Sequence, residues 1–253
     1  MSRTCAWPTS KLPQSIASGQ IHVWTWPLNS PNIDLASDTS LLDEEEASRY
    51  LRFHFDRDRV RFAVSHANMR RILGAYLDRP PGQIRFSANR FGKPEVFSEK
   101  PGRGTSSPPL RFNLSHSQSV ALLALALDIE VGVDVEDIRP IEPEVALGSF
   151  SVLEIRALGS LEGDAWLEGF YNCWTRKEAI LKAEGSGLSL PLDAFDVSLA
   201  PGAPAELLGT RPPLVLRRRW KLHDLSPAPG TAGALAAGSD QASLACFRLA
   251  PLE

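Results

Sequence analysis

The sequence is short of most features that would classify it quickly. Its 253 residues include only three cysteines, Cys5, Cys173 and Cys246. They are odd in number and far apart, which predicts neither a disulfide framework nor a zinc cluster. A reducing cytosol fits that usage, with Cys173 as a small core residue beside Trp174. There is no long hydrophobic run. The longest unbroken apolar stretch, Val120 to Leu127, is far too short to span a bilayer. Met1 to Ser10 lack a charged-then-apolar signal pattern, so the expected location is cytoplasmic, away from membranes. Neither sign of charge is in large excess. A net charge of −3 with 23% charged residues argues against disorder and against a nucleic-acid binder. The length supports one large domain or two small ones with a real core.

What the chain does carry is a pentapeptide, Gly132-Val133-Asp134-Val135-Glu136, soon after the apolar run. Side chains alternate faces along a strand. Val133 and Val135 therefore point into a core, and Asp134 and Glu136 point together to the other side. Gly132 leaves bare backbone beside them. Two carboxylates on one face form half of a site for a hard divalent cation such as Mg²⁺. Alternation is also ordinary sheet patterning, and the plainer reading is an edge strand with a solvated acidic face. The other half of such a site lies in Trp174 to Lys182. That segment has a helical period, with Asp164 as N-cap and Gly185 as stop. Phe170, Cys173, Trp174 and Leu181 share a stripe, with Glu178 on its shoulder and Lys182 one turn further on. A Glu–Lys pair at that spacing is usually surface charge. Lys177 falls within the apolar stripe, where it needs an anion or a carboxylate, or must snorkel out.

Elsewhere, helices and strands follow in turn. Residues 1–19 form an irregular lead-in. Ile21 to Trp26 reads as a strand and Asn29 to Ser40 as a loop. Leu41 to Phe53 reads as a helix with an acidic start, and Asp56 to Asp78 as a helix stopped by Arg79-Pro80-Pro81-Gly82. Arg49, Arg52, Arg57, Arg59 and Arg61 make one basic zone, either a solvated helix face or a phosphate patch. Ile84 to Ser87 is a short strand, and Asn89 to Pro94 a turn that displays Lys93. Ser98 to Pro109, rich in Pro, Gly and Ser, is a loop or the link between two halves. Arg111 to Leu114 is a strand ending in Ser115-His116-Ser117. His116 there caps the next element, binds an anion or moves a proton. Val120 to Leu127 and Val131 to Glu136 read as a strand pair turned at Asp128-Ile129-Glu130. Ile141 to Leu158 reads as helix. Strands follow near Phe195 to Leu199, Leu214 to Leu222 and Ala242 to Leu249, with Ser226 to Asp240 as a loop. The class is α+β with antiparallel sheets.

Together these features equip a chain for a polyphosphate that carries a metal. Carboxylates hold the cation, and arginines and lysines take the remaining phosphate charge. The motifs are FGKP (Phe91 to Pro94), FNLSHS (Phe112 to Ser117), GVDVE (Gly132 to Glu136), WTRKEAILKAEGSGLSLPL (Trp174 to Leu192) and Phe195-Asp196-Val197. With these residues, from about Leu51 to Leu199, the chain resembles the 4′-phosphopantetheinyl transferases. The likeness is to the larger, two-halved type that activates non-ribosomal peptide and polyketide synthases. The lead-in before Ile21 and the region after Ala200 carry no part of it.

The resemblance implies two similar α+β halves in one chain, a pseudo-dimer of mainly antiparallel sheets with packed helices. Residues 1–110 would form the 3′-phosphate side of coenzyme A, and residues 111–253 would carry the metal-binding carboxylates. The implied enzyme moves the 4′-phosphopantetheine arm of coenzyme A onto a serine of an apo acyl or peptidyl carrier protein. The carrier would serve fatty acid, peptide or polyketide synthesis, and adenosine 3′,5′-bisphosphate would be released. Mg²⁺, or Mn²⁺ in its place, would be held by Asp134, Glu136 and Glu178. Lys182 matches the lysine on the coenzyme A diphosphate. Lys93, Ser115 and His116 match residues that hold the phosphates. Arg57, and more loosely Arg49, fall near the basic position for the 3′-phosphate. Lys177 is assigned to orienting Glu178 or neutralising the site. The serine proton goes to Glu178, to a water on the metal or to His116, and the likeness puts Glu178 first. Catalytic roles thus fall to Glu178, Lys182 and His116. Carrier proteins are acidic, so a docking face of mixed apolar and basic character is expected near Ile138, Arg139 and Phe150 to Arg156. A monomer is expected. Two other readings stand beside this one. One is a module that binds coenzyme A or a carrier protein without turnover. The other is a structural or regulatory protein whose charged faces are only solvated.

Overall fold

The apolar run forms strand β6 (Val120–Leu127), which is buried along almost its whole length. A strand covered on both faces reads as continuous hydrophobics rather than as alternation. β6 lies inside a five-stranded sheet ordered β1 (Thr9–Ser10), β12 (Ser243–Leu249), β2 (Gln20–Pro27), β6, β5 (Leu110–His116). It pairs antiparallel with β2 and β5, whereas β12 runs parallel to β2 and to β1. This sheet takes strands from both sides of residue 110. The structure is a computed structural model, which describes residues 5–12, 15–31, 33–97, 109–185, 190–212, 214 and 216–251. Most of the expected link, Ser98 to Pro109, lies outside the described residues, as do Ser186 to Ser189 of the WTRKEAILKAEGSGLSLPL motif.

On one face of the sheet, Ala121, Leu123 and Leu125 pack with Trp24 and Trp26 against Ile72 and Leu73 of helix α3 (Asp56–Leu77). On the other face, Leu122, Ala124 and Ala126 meet Val131, Val133 and Val135 of β7 (Val131–Asp137). β7 belongs to a second, antiparallel sheet ordered β10 (Lys221–Leu225), β11 (Thr231–Ala237), β7. Helix α6 (Gly163–Glu184) covers the far side of that sheet, with Ile180 and Ala183 beside Ala234 and Ala236. The layers are therefore helix, sheet, sheet, helix. Each half has one main sheet, a small two-stranded one (Phe86–Ala88 with Pro94–Val96, Phe195–Val197 with Leu207–Thr210) and one helix of 22 residues that ends at a left-handed residue, Asp78 or Gly185. The class is α+β in two halves, as expected. No helix among the described residues is long and apolar enough to cross a membrane.

The structure corrects several local expectations. β6 and β7 are not a hairpin. Asp128, at φ 54°, turns the chain out of the first sheet, and β7 pairs with β11 instead. The stretch expected as a loop, Ser226 to Asp240, contains that partner: all seven residues of β11 (TAGALAA) are buried. Its residues are small because it lies between β7 and β10 with α6 across it. The strand expected at Leu214 to Leu222 begins only at Lys221, and a short strand β9 (Leu207–Thr210) pairs instead with β8 (Phe195–Val197). Ile141 to Leu158 is two helices, α4 (Glu144–Ser149) and α5 (Val152–Leu158). Ser151 divides them: its side chain accepts from the Glu154 amide, and the Glu154 carboxylate accepts from the Ser151 amide. A helix α1 (Leu35–Ser40), capped by Asp34, occupies the expected loop before α2 (Glu44–Arg52). The N-cap of α6 is Glu162 rather than Asp164. Cys5 and Cys246, expected to be unpaired, form a disulfide, because β1 runs beside β12. Cys173 is free and buried.

Candidate active site

The site begins with a close approach. A Cβ on Gly132 would lie 2.2 Å from the Ala179 carbonyl oxygen and 2.2 Å from the Ala183 nitrogen. Only glycine lets α6 lie this near to β7. The approach brings Glu178 and Lys182, one helical turn apart, against Asp134 and Glu136. The predicted alternation holds: Val133 and Val135 enter the core between the sheets, and the two acids face α6.

Asp134 is the centre of the arrangement, 3% exposed. Its Oδ1 accepts from Ser115 Oγ at 2.9 Å and from Lys182 Nζ at 2.5 Å. Lys182 also donates to Ser115 Oγ at 2.9 Å. Asp134 Oδ2 is buried and has no hydrogen-bond partner. An unsatisfied buried carboxylate oxygen is costly, so such an atom calls for a ligand. Glu136 is pushed up to about 7, first by burial and then by the charge of Asp134. Glu178 is raised for the same two reasons, in the same order. Three carboxyl groups are thus crowded beyond what Lys182 alone balances. Among the described residues, no group of three His, Cys, Asp or Glu side chains stands ready-made as a metal cage. The donor set still fits a hard divalent cation: carboxylate oxygens, one of them orphaned, and two acids that burial and a neighbouring charge hold back from ionising.

The surrounding residues fix this centre. Asn113 on β5 accepts from the Val133 amide at 2.8 Å, tying the first sheet to β7. Lys93 sits in the turn between β3 (Phe86–Ala88) and β4 (Pro94–Val96). Its ammonium donates to Glu130 at 3.0 Å, to the Val131 carbonyl at 3.2 Å and to the Ala183 carbonyl at 3.1 Å. Burial lowers its pKa against the pull of Glu130. Asn89 Nδ2 donates to the Gly185 carbonyl at 3.0 Å, and its Oδ1 takes the Phe91 and Lys93 amides. The turn is thereby clamped to the end of α6. Asn89 and Asn113 stood inside or beside quoted motifs, but an asparagine in a strand or turn carries no role in its spacing.

Three adjoining hollows open around the centre. The first, about 270 Å³, has Glu136, His116, Arg61, Phe62 and Arg139 in its wall. The second, about 260 Å³, has Lys93, Asn113, Glu178 and Lys182. The third, about 380 Å³, has Arg49, Phe62, His66, Asn113 and His116. Shared walls make them one groove between the halves. His116 is within β5 rather than after it, and is exposed. The protein around it lowers its pKa, as do the nearby His66, Lys182 and Arg49.

Two expected residues are not brought to the groove. Arg57 is exposed, lies over the Phe55 ring at 5.1 Å and lines none of the three hollows. Arg49 does line one of them. Lys177 was expected to face the site but is 1% exposed in the second half. Its ammonium pairs with Glu154 at 2.8 Å and donates to the Leu192 and Phe195 carbonyls at 2.6 Å each. The carboxylate partner its position demanded is Glu154, from α5, which sequence spacing could not identify.

Comparison with known proteins agrees with this geometry. The profile of the 4′-phosphopantetheinyl transferase superfamily matches residues 130–234. The profile described as 4′-phosphopantetheinyl transferase, N-terminal, matches residues 26–127. The 4′-phosphopantetheinyl transferase HetI of Nostoc sp. is 34% identical over 224 residues, 88% of this chain and 89% of its own length. This chain belongs to the 4′-phosphopantetheinyl transferase superfamily. The 4′-phosphopantetheinyl transferase Sfp of Bacillus subtilis is 32% identical over 160 residues, 63% of this chain and 67% of its own. A human relative, the L-aminoadipate-semialdehyde dehydrogenase-phosphopantetheinyl transferase, is 28% identical over 169 residues, 63% of this chain and 53% of its own. The protein is therefore a 4′-phosphopantetheinyl transferase of the two-halved type. The two matched segments meet near residue 128, where Asp128 turns the chain from one sheet to the other.

Proposed function

We propose that the enzyme takes the 4′-phosphopantetheine arm from coenzyme A and attaches it to a serine of an apo acyl or peptidyl carrier protein. The observation that carries this is the meeting of Asp134, Glu136, Glu178 and Lys182 across the β7–α6 contact, beside a groove lined with cations. Residues 1–110 supply Arg49 and Lys93 on the nucleotide side, and residues 111–253 supply the carboxylates. The serine oxygen forms a bond to the phosphorus that bears the arm. The bond from that phosphorus to the second phosphate breaks, and adenosine 3′,5′-bisphosphate leaves. Glu178, whose raised pKa makes it a better proton acceptor than an ordinary carboxylate, takes the serine proton. Lys182 neutralises charge gathering on the phosphates, and Ser115 holds Lys182 and Asp134 in register. Mg²⁺, with Mn²⁺ as a substitute, would be held by Asp134, Glu136 and Glu178; when bound it supplies positive charge to the diphosphate.

The carrier protein docks beside Glu136. Leu147, Val152 and Leu153 on α4 and α5 are exposed at 62%, 64% and 58%, close in sequence to the exposed Arg139 and Arg156. Apolar side chains with basic neighbours suit an acidic partner. The enzyme acts as a monomer in the cytoplasm in this reading. The test is the intact mass of an apo carrier protein incubated with enzyme, coenzyme A and Mg²⁺. One added phosphopantetheine, lost without the metal and with Glu178→Ala, is the expected result. Coenzyme A binding with no mass gain on any carrier class would favour a binding module instead.

A further inference from the structure

The third hollow holds a histidine for which neither the motifs nor the mechanism has a use. His66 lies on α3, and its ring stacks on Phe62 with centroids 4.0 Å apart. The Arg49 guanidinium lies 5.4 Å from the centroid of the same ring. Phe62 is thus a common platform for two groups that can carry positive charge, and both line the hollow together with His116. Three such groups converge here. Glu46 and Asp43 line the same hollow, but both are bound by the buried Arg70. Glu45 is exposed.

Glu46 also fixes the orientation of His66. Its Oε1 lies 2.7 Å from His66 Nδ1. Burial opposes ionisation of Glu46, but the hydrogen bond and charge of His66, then Arg70, outweigh it and hold the carboxyl below its usual range. An ionised carboxylate only accepts, so Nδ1 carries the proton and Nε2 is left for a ligand. In the imidazolium the second N–H, on Nε2, donates to an anion.

Coenzyme A carries two anionic groups, a diphosphate and a phosphomonoester on the ribose. The diphosphate belongs with Lys182, because the reacting phosphorus is there. We propose that His66, oriented by Glu46, donates with Arg49 to the ribose phosphomonoester, and so selects coenzyme A over its dephospho form. This rests on the function proposed above and names a residue that the motifs do not.

The probes are adenosine 3′,5′-bisphosphate and adenosine 5′-monophosphate, titrated calorimetrically into the wild type, His66→Gln and His66→Ala. Loss of a charge-assisted hydrogen bond weakens the bisphosphate about tenfold or more and leaves the monophosphate within about twofold. The KM ratio of dephospho-coenzyme A to coenzyme A falls by the same factor, with kcat at saturation retained. Equal weakening of both probes, accompanied by a lower melting temperature, would make His66 only a packing partner of Phe62 and would overturn the proposal. An unchanged preference in both variants, or no preference in the wild type, would overturn it too. A preference lost in the variants, in an enzyme that modifies no carrier protein, would sustain this inference and refute the transfer reading alone.

Discussion

Replacing Gly132 with alanine adds one methyl group at the tightest glycine contact among the described residues. It would stand 2.2 Å from two backbone atoms of α6 and 2.8 Å from a third, the Ala183 Cα. Ordinary contact begins near 3.4 Å, so the helix must withdraw by more than about 1 Å. No side chain can rotate away, because the obstacles are backbone. Overpacking a core costs about 1–3 kcal/mol, and this case belongs at or above the upper end. For a protein of this size about 3 kcal/mol lowers the melting temperature by roughly 6–12 °C. The effect on turnover is larger, because the same movement carries Glu178 and Lys182 away from Asp134 and Glu136. A misplacement of about 1 Å costs on the order of a hundredfold in rate. Thermal melts and the carrier mass assay measure the two effects. Gly148→Ala is the control: it sits in helix α4 with nothing within 4 Å of its Cβ, so its melt stays level or rises. Wild-type melting and turnover in Gly132→Ala would refute the claimed contact and the account of how the site is assembled.

Lys177→Met strands the Glu154 carboxylate in the core, so stability falls by about 3–5 kcal/mol while the KM for coenzyme A holds at temperatures where the variant stays folded. An unchanged melt with a raised KM would return Lys177 to the binding site. Cys5→Ser, or reductant, opens a cross-link between residues 241 apart in sequence. The melting temperature drops, for a stability loss of about 5 kcal/mol in chain-entropy terms, and turnover persists because Cys246 lies in the layer between the sheets rather than in the groove. Identical wild-type melts with and without reductant would show that the bond does not form in solution. Tyr76 is raised from 10.0 to about 12 by burial, against the Trp24 hydrogen bond. The unfolded chain therefore ionises first, so stability is full below pH 10 and falls as pH rises through that window, by about 2 kcal/mol at most once partial exposure is allowed for. Denaturant melts across the window should show a slope that Tyr76→Phe removes. An equal slope in the variant would assign it to other groups.

Legibility followed the range of the interaction. Helices α3 and α6 could be read because their stops are local: Arg79-Pro80-Pro81-Gly82 after one, and Gly185 at φ 63° after the other. The outward face of Asp134 and Glu136 could be read because alternation is a property of two residues. β11 could not. TAGALAA has the composition of a loop and becomes a central strand only because β7, β10 and α6 need small residues between them. The break at Ser151 was hidden for a related reason, since a capping box and a mid-helix Ser-x-x-Glu are written alike until the packing of Phe150 separates them.

The same division runs through the site. The sequence alone picked out the groups proposed for the chemistry: three carboxylates, Lys182, Lys93 and the Ser115-His116 pair, each with a motif and a spacing. Tertiary structure alone decided which of the remaining charges join them. Arg49 rather than Arg57 lines the groove, Lys177 turns to Glu154, His66 is aimed by Glu46, and Cys5 reaches Cys246. In every case the partner comes from another element, tens of residues or more away along the chain in all but one. A long charged side chain can serve any face within its reach. Which face it serves depends on the nearest unsatisfied opposite charge, and that is set by packing rather than by sequence spacing.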